Sequence, residues 1–367
     1  MSQPLIDPPG QDDPGVQLLT PGGRRVADPG HPLDVDLPTV QGLLRDMTLL
    51  RRFDSEATAL QRQGELGLWA SCLGQEAAQV GAGRALAPAD FAFTSYREHG
   101  VAWCRGIRPT QMLRFWRGSA HGGWDPRAAG MGNYTVIIGA QALHAVGYAM
   151  GIQRDGADAA AMAFFGDGAT SQGDVAEAFT FAAVSSAPVV FFCQNNQWAI
   201  SEPLSRQTRV PLWQRAHGFG FPGVRVDGND VLAVLAVTRA ALAQARAGGG
   251  PTLIEAFTYR MAAHTTSDDP SRYRDAAEVD QWRARDPLLR VERYLRAEGV
   301  GDAWFDDLGA EADDLAEGIR SGARALPDTD PLAVFDLVYA EPHPAMARQQ
   351  AELAAHLASF TGPREPG

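Results

Sequence analysis

The sequence contains no lysine, and each of its 32 basic residues is an arginine. That absence removes every mechanism needing a side-chain primary amine: Schiff-base catalysis, anchoring of pyridoxal phosphate, the lysine of a P-loop and a lysine carrying a lipoyl group. A phosphate bound here must be held by arginine, histidine, backbone amides or a metal ion. Cysteine is scarce. Cys72, Cys104 and Cys193 are odd in number and lack metal-ligand spacing, which fits a reducing compartment and small buried apolar roles. No apolar run approaches the roughly 20 residues that span a bilayer, and Ala187 to Cys193 is typical of those present. Positive charge is the minority sign. A net charge of -12 and a pI near 5.1 argue against a nucleic-acid partner, and no membrane attachment is expected. The opening MSQPLIDPPGQDDPG has neither an apolar signal core nor the Arg-rich, acid-poor character of a transit peptide, so a cytoplasmic location is expected.

What is present is a soluble, core-forming chain, 45% apolar over 367 residues, enough for one large or two ordinary domains. Its organising stretch is Ala159 to Ser201, AAAMAFFGDGATSQGDVAEAFTFAAVSSAPVVFFCQNNQWAIS. The pattern predicts a strand over Ala161 to Phe165, a Gly166-Asp167-Gly168 turn, a helix from about Ser171 to Val184, a strand over Val189 to Cys193, and then Asn195-Asn196. In a βαβ unit the turn and the Asn pair fall at the carboxyl ends of parallel strands, where open α/β sheets bind ligands. Asp167 and Asn196 offer hard oxygens which, with a carbonyl and phosphate oxygens, complete an octahedral magnesium site. The helix N-terminus after Gly168 favours a phosphate at the same place. A diphosphate held through a metal is the simplest joint reading. The competing class is a nicotinamide oxidoreductase, since FFGDG before a helix imitates a dinucleotide turn. Against it, the third glycine is displaced to Gly173 and no acid ends the second strand to hold a ribose. A non-catalytic binding subunit is disfavoured because the metal and phosphate residues are intact.

Along the chain, residues 1–37 are rich in Pro, Gly and Asp with no apolar period, and read as a flexible tail or one that wraps a neighbour. From Pro38 a long amphipathic helix is expected, with Thr39 as its N-cap, and a second helix ends near Pro88. FAFTSYREHG sets Tyr96, Arg97 and His99 beside each other, on the residues alone a solvated polar cluster. GSAHGGWDPRAAGMGNY is a Gly-rich loop containing His121. RVDGND and PTLIEAFTYRM continue the strand and helix alternation of a doubly wound, mostly parallel sheet flanked by helices. His264 follows the last strand, over the rim that carries Asp167 and Asn196. Helices are expected at Asp313 to Ala325 and Pro331 to Tyr339, before a C-terminal helix and tail over 341–367.

The Gly-Asp-Gly and Asn-Asn pair looks like the thiamine diphosphate fingerprint. SYREHG, FFCQNNQWAIS, RVDGNDVLAV and LIEAFTYRMAAHTTSDDPSRYR resemble the alpha subunit of the decarboxylating component of 2-oxo acid dehydrogenase complexes. The branched-chain type is the nearest in wording and the pyruvate type is the alternative. The resemblance runs from about Leu37 to Tyr339, implies an α/β thiamine diphosphate-binding fold over 38–340, and implies thiamine diphosphate with Mg2+.

It also implies roles. Tyr96, Arg97, Gly168, Ala169 and the helix after Gly168 would hold the diphosphate, and Asp167, Asn196 and the Trp198 carbonyl the metal. Ile138 would prop the bent cofactor, unless it is ordinary core. His264 would bind cofactor and assist acyl transfer to a lipoyl group. The activating glutamate has no matching word here. In two-chain relatives it belongs to a beta subunit, so half of each site and an α2β2 heterotetramer docking to a lipoyl-bearing acyltransferase are expected, with a 2-oxo acid as substrate. Three departures stand out. Trp198 replaces a common Tyr, Gln194 replaces an Arg frequent in branched-chain relatives, and the loop before Asn133 lacks the usual His, with His121 as its possible substitute. Relatives in higher organisms are phosphorylated on the loop that holds Thr265 to Ser267 here.

Overall fold

The computed structural model describes residues 15–120 and 122–360. Among these residues seven strands form two sheets: β1 (Phe91–Phe93), β2 (Ala161–Gly166), β3 (Val189–Asn195), β4 (Trp198–Ala199), β5 (Glu202–Pro203), β6 (Gly223–Asp227) and β7 (Thr252–Phe257). The main sheet has the order β1-β2-β3-β7-β6 and every pairing in it is parallel. β4 and β5 make a small antiparallel hairpin.

The alternation of side chains across the central strands explains why both faces carry helices. Ala161, Ala163, Phe165, Val189, Phe191 and Cys193 point to one face, packed by Ala142, Ala145 and Val146 of the helix Ala140–Asp155 and by Val175, Ala178 and Phe179 of the helix Gly173–Ser185. Met162, Phe164, Val190 and Phe192 point to the other, covered from the helices Leu37–Arg62, Glu76–Ala85 and Val231–Arg246. The doubly wound α/β reading is what the structure has.

The expected tail needs correction from residue 15 onward. Val16 bridges Val226 in parallel, which closes the open edge of β6. Leu18 and Leu19 are buried, and both their N–H groups donate to the Asp230 carboxylate, at 2.7 and 2.5 Å. Arg290 returns a bond to the Leu19 carbonyl at 2.8 Å. Two adjacent leucines in a Pro/Gly-rich stretch have no period, so only tertiary contacts reveal this strap. Residues 1–14 and His121, and with it the question of a substitute loop histidine, lie outside the described residues.

Other boundaries shift locally. The first helix starts at Leu37 and its N-cap is Asp36, whose carboxylate accepts from the Thr39 N–H at 2.9 Å; Thr39 is the third helical residue instead. One helix, Asp302–Arg324, replaces the shorter one expected from Asp313. Pro331 to Tyr339 forms only a 3-10 turn, Ala333–Leu337. The C-terminal helix Pro344–Ser359 has no buried residue.

Candidate active site

The carboxyl ends of β1, β2, β3 and β7 meet at one rim around a cavity of about 230 Å³. Tyr96 and Arg97 follow β1, Asp167 to Ala169 follow β2, Asn196 and Trp198 follow β3, and Arg260 and His264 follow β7, all lining that cavity. Ile138 completes it from the N-terminal approach to the helix Ala140–Asp155. With 41% exposure, and Val136 and Ile137 beside it at 57% and 75%, Ile138 is not ordinary core. Thus these residues come together in space, whereas His99 does not line the cavity, its buried ring being bonded to the Tyr134 hydroxyl at 2.7 Å and the Ala70 carbonyl at 2.8 Å.

One side of the cavity is cationic. Arg97 is buried; its Nη1 donates to the Ser71 carbonyl at 2.6 Å and its Nη2 to the His264 carbonyl at 2.8 Å. Arg260, fully buried, donates to the carbonyls of Trp198 at 3.1 Å and Ile200 at 2.7 Å, and to the Tyr273 hydroxyl at 2.9 Å. These partners are neutral, and among the described residues no carboxylate is in ion-pair contact with either guanidinium. A buried charge normally finds an opposite charge, so two such groups at a cavity call for an anion. Burial, and then the neighbouring Arg97 charge, bring Arg260 down to about 10. The sequence reading did not single out Arg260, although it stands inside LIEAFTYRMAAHTTSDDPSRYR, one of the words that carry the resemblance; its position three residues after a buried strand, on the same loop as His264, was the available signal.

His264 lies between the two arginines. Its Nδ1 is 3.2 Å from Arg97 Nη2 and 3.2 Å from Arg260 Nη1, and its Nε2 is 3.4 Å from the Tyr96 hydroxyl. Burial, followed by the charges of Arg97 and Arg260, lowers its pKa to about 3. The ring is therefore neutral. Its loop is tied by the His264 N–H to Asp268 at 2.8 Å.

The lining also offers oxygen. Asp167 is buried, which pushes its carboxyl up to about 6. Asn195 serves the fold: its Nδ2 donates to Glu255 at 2.6 Å, and its Oδ1 accepts from the Gln197 N–H at 3.1 Å. Asn196 serves the cavity, its Nδ2 bonded to Gln75 at 3.0 Å and its Oδ1 accepting from the Trp198 N–H at 3.3 Å. The Trp198 carbonyl already accepts from Arg260, so a metal there would use its second lone pair. Gln197 (φ 72°) and Ile200 (φ 57°) hold left-handed backbone on either side of Trp198. For a β-branched residue that is a strained conformation, of the kind that clusters at functional sites.

Between Asp167 and the helix Gly173–Ser185 the chain makes a 3-10 turn, Asp167–Ser171, so the helix begins later than Ser171. Thr170 Oγ1 closes that turn on the Asp167 carbonyl at 2.8 Å. The residues fit a metal-bridged diphosphate. Among the described residues no three His, Cys, Asp or Glu side chains cluster as a metal site, so a cation at Asp167 would need ligand and carbonyl oxygens to complete its shell. Gln194, where an arginine was noted as missing, leaves its Oε1 buried without a partner and puts its Nε2 3.4 Å from Glu98. Glu98, also missed, lines the cavity with its carboxyl raised by burial and bonded to Ser95 Oγ at 2.7 Å.

Comparison with known proteins shows the family of the chain. The family model of the dehydrogenase E1 component matches residues 44–306. The chain is 49% identical over 348 residues to the 3-methyl-2-oxobutanoate dehydrogenase subunit alpha of Mycobacterium tuberculosis (strain ATCC 25618 / H37Rv), covering 94% of each. It is 37% identical over 340 residues to the pyruvate dehydrogenase E1 component subunit alpha of Staphylococcus epidermidis (strain ATCC 12228 / FDA PCI 1200), covering 91% of each. The Staphylococcus aureus (strain COL) protein of that name is 37% identical over 326 residues, with 88% of this chain and 87% of the relative covered.

Proposed function

The chain belongs to the dehydrogenase E1 component family, and from that premise we propose that it is the alpha subunit of a 2-oxo acid dehydrogenase. It would take part in oxidative decarboxylation of a branched-chain 2-oxo acid and in transfer of the acyl group to the lipoyl group of an acyltransferase. The higher identity to the relative named for 3-methyl-2-oxobutanoate, against those named for pyruvate, supports the branched-chain choice.

One observation carries the cofactor reading. Two buried guanidinia with no carboxylate ion-pair partner among the described residues line one cavity with a buried aspartate and with amide and carbonyl oxygens. Magnesium diphosphate would answer both, with Arg97 and Arg260 holding the phosphate charge and Asp167, Asn196 and the Trp198 carbonyl holding the metal. Tyr96, Gly168 and Ala169 line the same end, and Ile138 offers an apolar prop. Bound there, thiamine diphosphate would supply the carbon nucleophile and the electron sink for loss of carbon dioxide. His264, neutral and beside Tyr96, would orient phosphate or the incoming lipoyl group and assist acylation.

The half-site reading rests on exposed apolar surface, which begins beside Ile138 of the cavity and continues on two helices. Val136 and Ile137, with Tyr148 of the helix Ala140–Asp155 and Phe181 and Val184 of the helix Gly173–Ser185, are 43 to 85% exposed. A beta subunit covering them would complete an α2β2 assembly and bring the activating glutamate. No helix among the described residues is long and apolar enough to cross a membrane.

The test is thermal stabilisation of the chain coexpressed with a beta subunit. Thiamine diphosphate should stabilise it only when magnesium is present, and 3-methyl-2-oxobutanoate should be turned over faster than pyruvate. Stabilisation by NAD, or full activity of this chain alone, would reject the proposal. Replacing His264 by Ala should impair acyl transfer to lipoamide more than decarboxylation read with an artificial acceptor.

A further inference from the structure

Gln207 closes the one-turn helix Leu204–Gln207, in the segment that follows the β4–β5 hairpin. Its Nε2 donates to Asp167 Oδ2 at 2.8 Å and to the Glu202 carbonyl at 3.2 Å. It is the side chain that hydrogen-bonds the Asp167 carboxylate, and no second one does so among the described residues. Its other amide atom has no partner: Oε1 is buried and accepts nothing. That oxygen lies over Gly168, where an added Cβ would stand 3.9 Å from it. Turning the amide over would press its oxygen against the carboxylate, so the orientation follows from the charge of Asp167.

A buried acceptor left without a donor asks for an explanation, and an ion or water is the usual one. Magnesium keeps several of its waters when it binds through one or two carboxylates and phosphate oxygens. We infer that Gln207 is a positioning residue of the cation site, holding Asp167 Oδ2 and so fixing how the carboxylate faces the metal, and accepting from a metal-bound water through Oε1. This rests on the magnesium and thiamine diphosphate reading above. It adds a residue from outside both the Gly-Asp-Gly turn and the Asn-Asn pair, and ties the segment after β5 to occupancy of the site.

The experiment uses the coexpressed alpha and beta chains without substrate. At saturating thiamine diphosphate, the magnesium concentration giving half of the thermal shift is measured for the wild type, Gln207→Met and Gln207→Ala. Gln207→Met keeps the length and volume and deletes both hydrogen bonds. The expected result is a rise of about tenfold in that concentration for both variants, the size of one charge-assisted hydrogen bond. The melting temperature without magnesium should fall only by what losing those hydrogen bonds costs, and the magnesium effect is read on top of that fall. An unchanged magnesium requirement in Gln207→Met overturns the role. So does a fall in the metal-free melting temperature that accounts for the whole effect. Where the two variants differ, Gln207→Met decides, and if it does not fold, Gln207→Ala is read the same way. A wild type with no magnesium-dependent shift would instead remove the cofactor reading on which the inference stands.

Discussion

Arg97 grips His264 twice, donating from Nη2 to its backbone oxygen at 2.8 Å and approaching its Nδ1 to 3.2 Å. A guanidinium has no acceptor, and Arg260 aims a second donor at the same Nδ1. Nδ1 must therefore accept, and the ring proton belongs on Nε2, beside the Tyr96 hydroxyl. The expected outcome is the neutral Nε2–H tautomer at pH 7, read from the imidazole 15N shifts of labelled protein. A spectrum showing the Nδ1–H form, or an imidazolium, would contradict the arrangement.

The same contacts set a pH dependence. Free histidine protonates near 6.5, whereas His264 in the fold stays neutral to about pH 3. Between these values the unfolded chain takes a proton that the folded chain refuses, so this residue's contribution to stability falls as pH drops below 6.5. His99, neutral to about pH 3 through burial, acts in the same direction, while Asp167, raised to about 6, acts in the opposite one. The wild type minus His264→Asn difference isolates one group. Urea unfolding from pH 7 to pH 4 should show the wild type losing stability more steeply than the variant; parallel curves would refute it.

Arg97→Lys tests whether charge alone suffices. The two ends of the guanidinium reach carbonyls on different segments, Ser71 and His264, which an ammonium cannot span while also facing a phosphate. The variant should bind thiamine diphosphate about 10- to 100-fold more weakly at fixed magnesium, the range of one or two charge-assisted hydrogen bonds. Isothermal titration measures it, and wild-type affinity in the variant would remove Arg97 from the anchor role.

The sequence made the rim legible because its signals are local. Asp167 and Asn196 directly follow apolar strands of clear length, and His264 stands on the loop after another, inside a word that carries the resemblance, so strand order predicted their convergence. Arg260 and Gln207 are set by tertiary placement: one lies after β7 in a loop, the other in a one-turn helix 40 residues beyond Asp167. The strap at Leu18 and Leu19 was misread for the same reason. Its partner, Asp230, is more than 200 residues away, and Pro/Gly-rich composition around it imitates a tail.

That strap should matter for stability. Asp230 accepts the N–H groups of Leu18 and Leu19 and also caps the helix Val231–Arg246 through Leu232 and Ala233. Asp230→Ala leaves buried donors unmet and removes a cap, a cost of about 2 to 4 kcal/mol. Leu19→Ala, at a fully buried position, should cost about 2 to 5 kcal/mol. Denaturant unfolding checks both, and a change below about 0.5 kcal/mol, typical of surface sites, would mean the strap is not held as described.

The last prediction concerns why the residue after Asp167 is glycine. A Cβ on Gly168 would stand 2.7 Å from the Ala199 Cβ and 3.5 Å from its Cα. Ala199 belongs to the short β4 strand, between the left-handed Gln197 and Ile200, so it has little freedom to retreat. Gly168→Ala should therefore cost about 1 to 3 kcal/mol by overpacking. If the contact between these two methyl positions is the cause, Ala199→Gly in the same chain should restore most of the loss, although Ala199→Gly alone is itself mildly destabilising. Melting temperatures of the two single variants and the double variant measure that coupling. Additive losses would show that Gly168 is required for some reason other than the approach of Ala199.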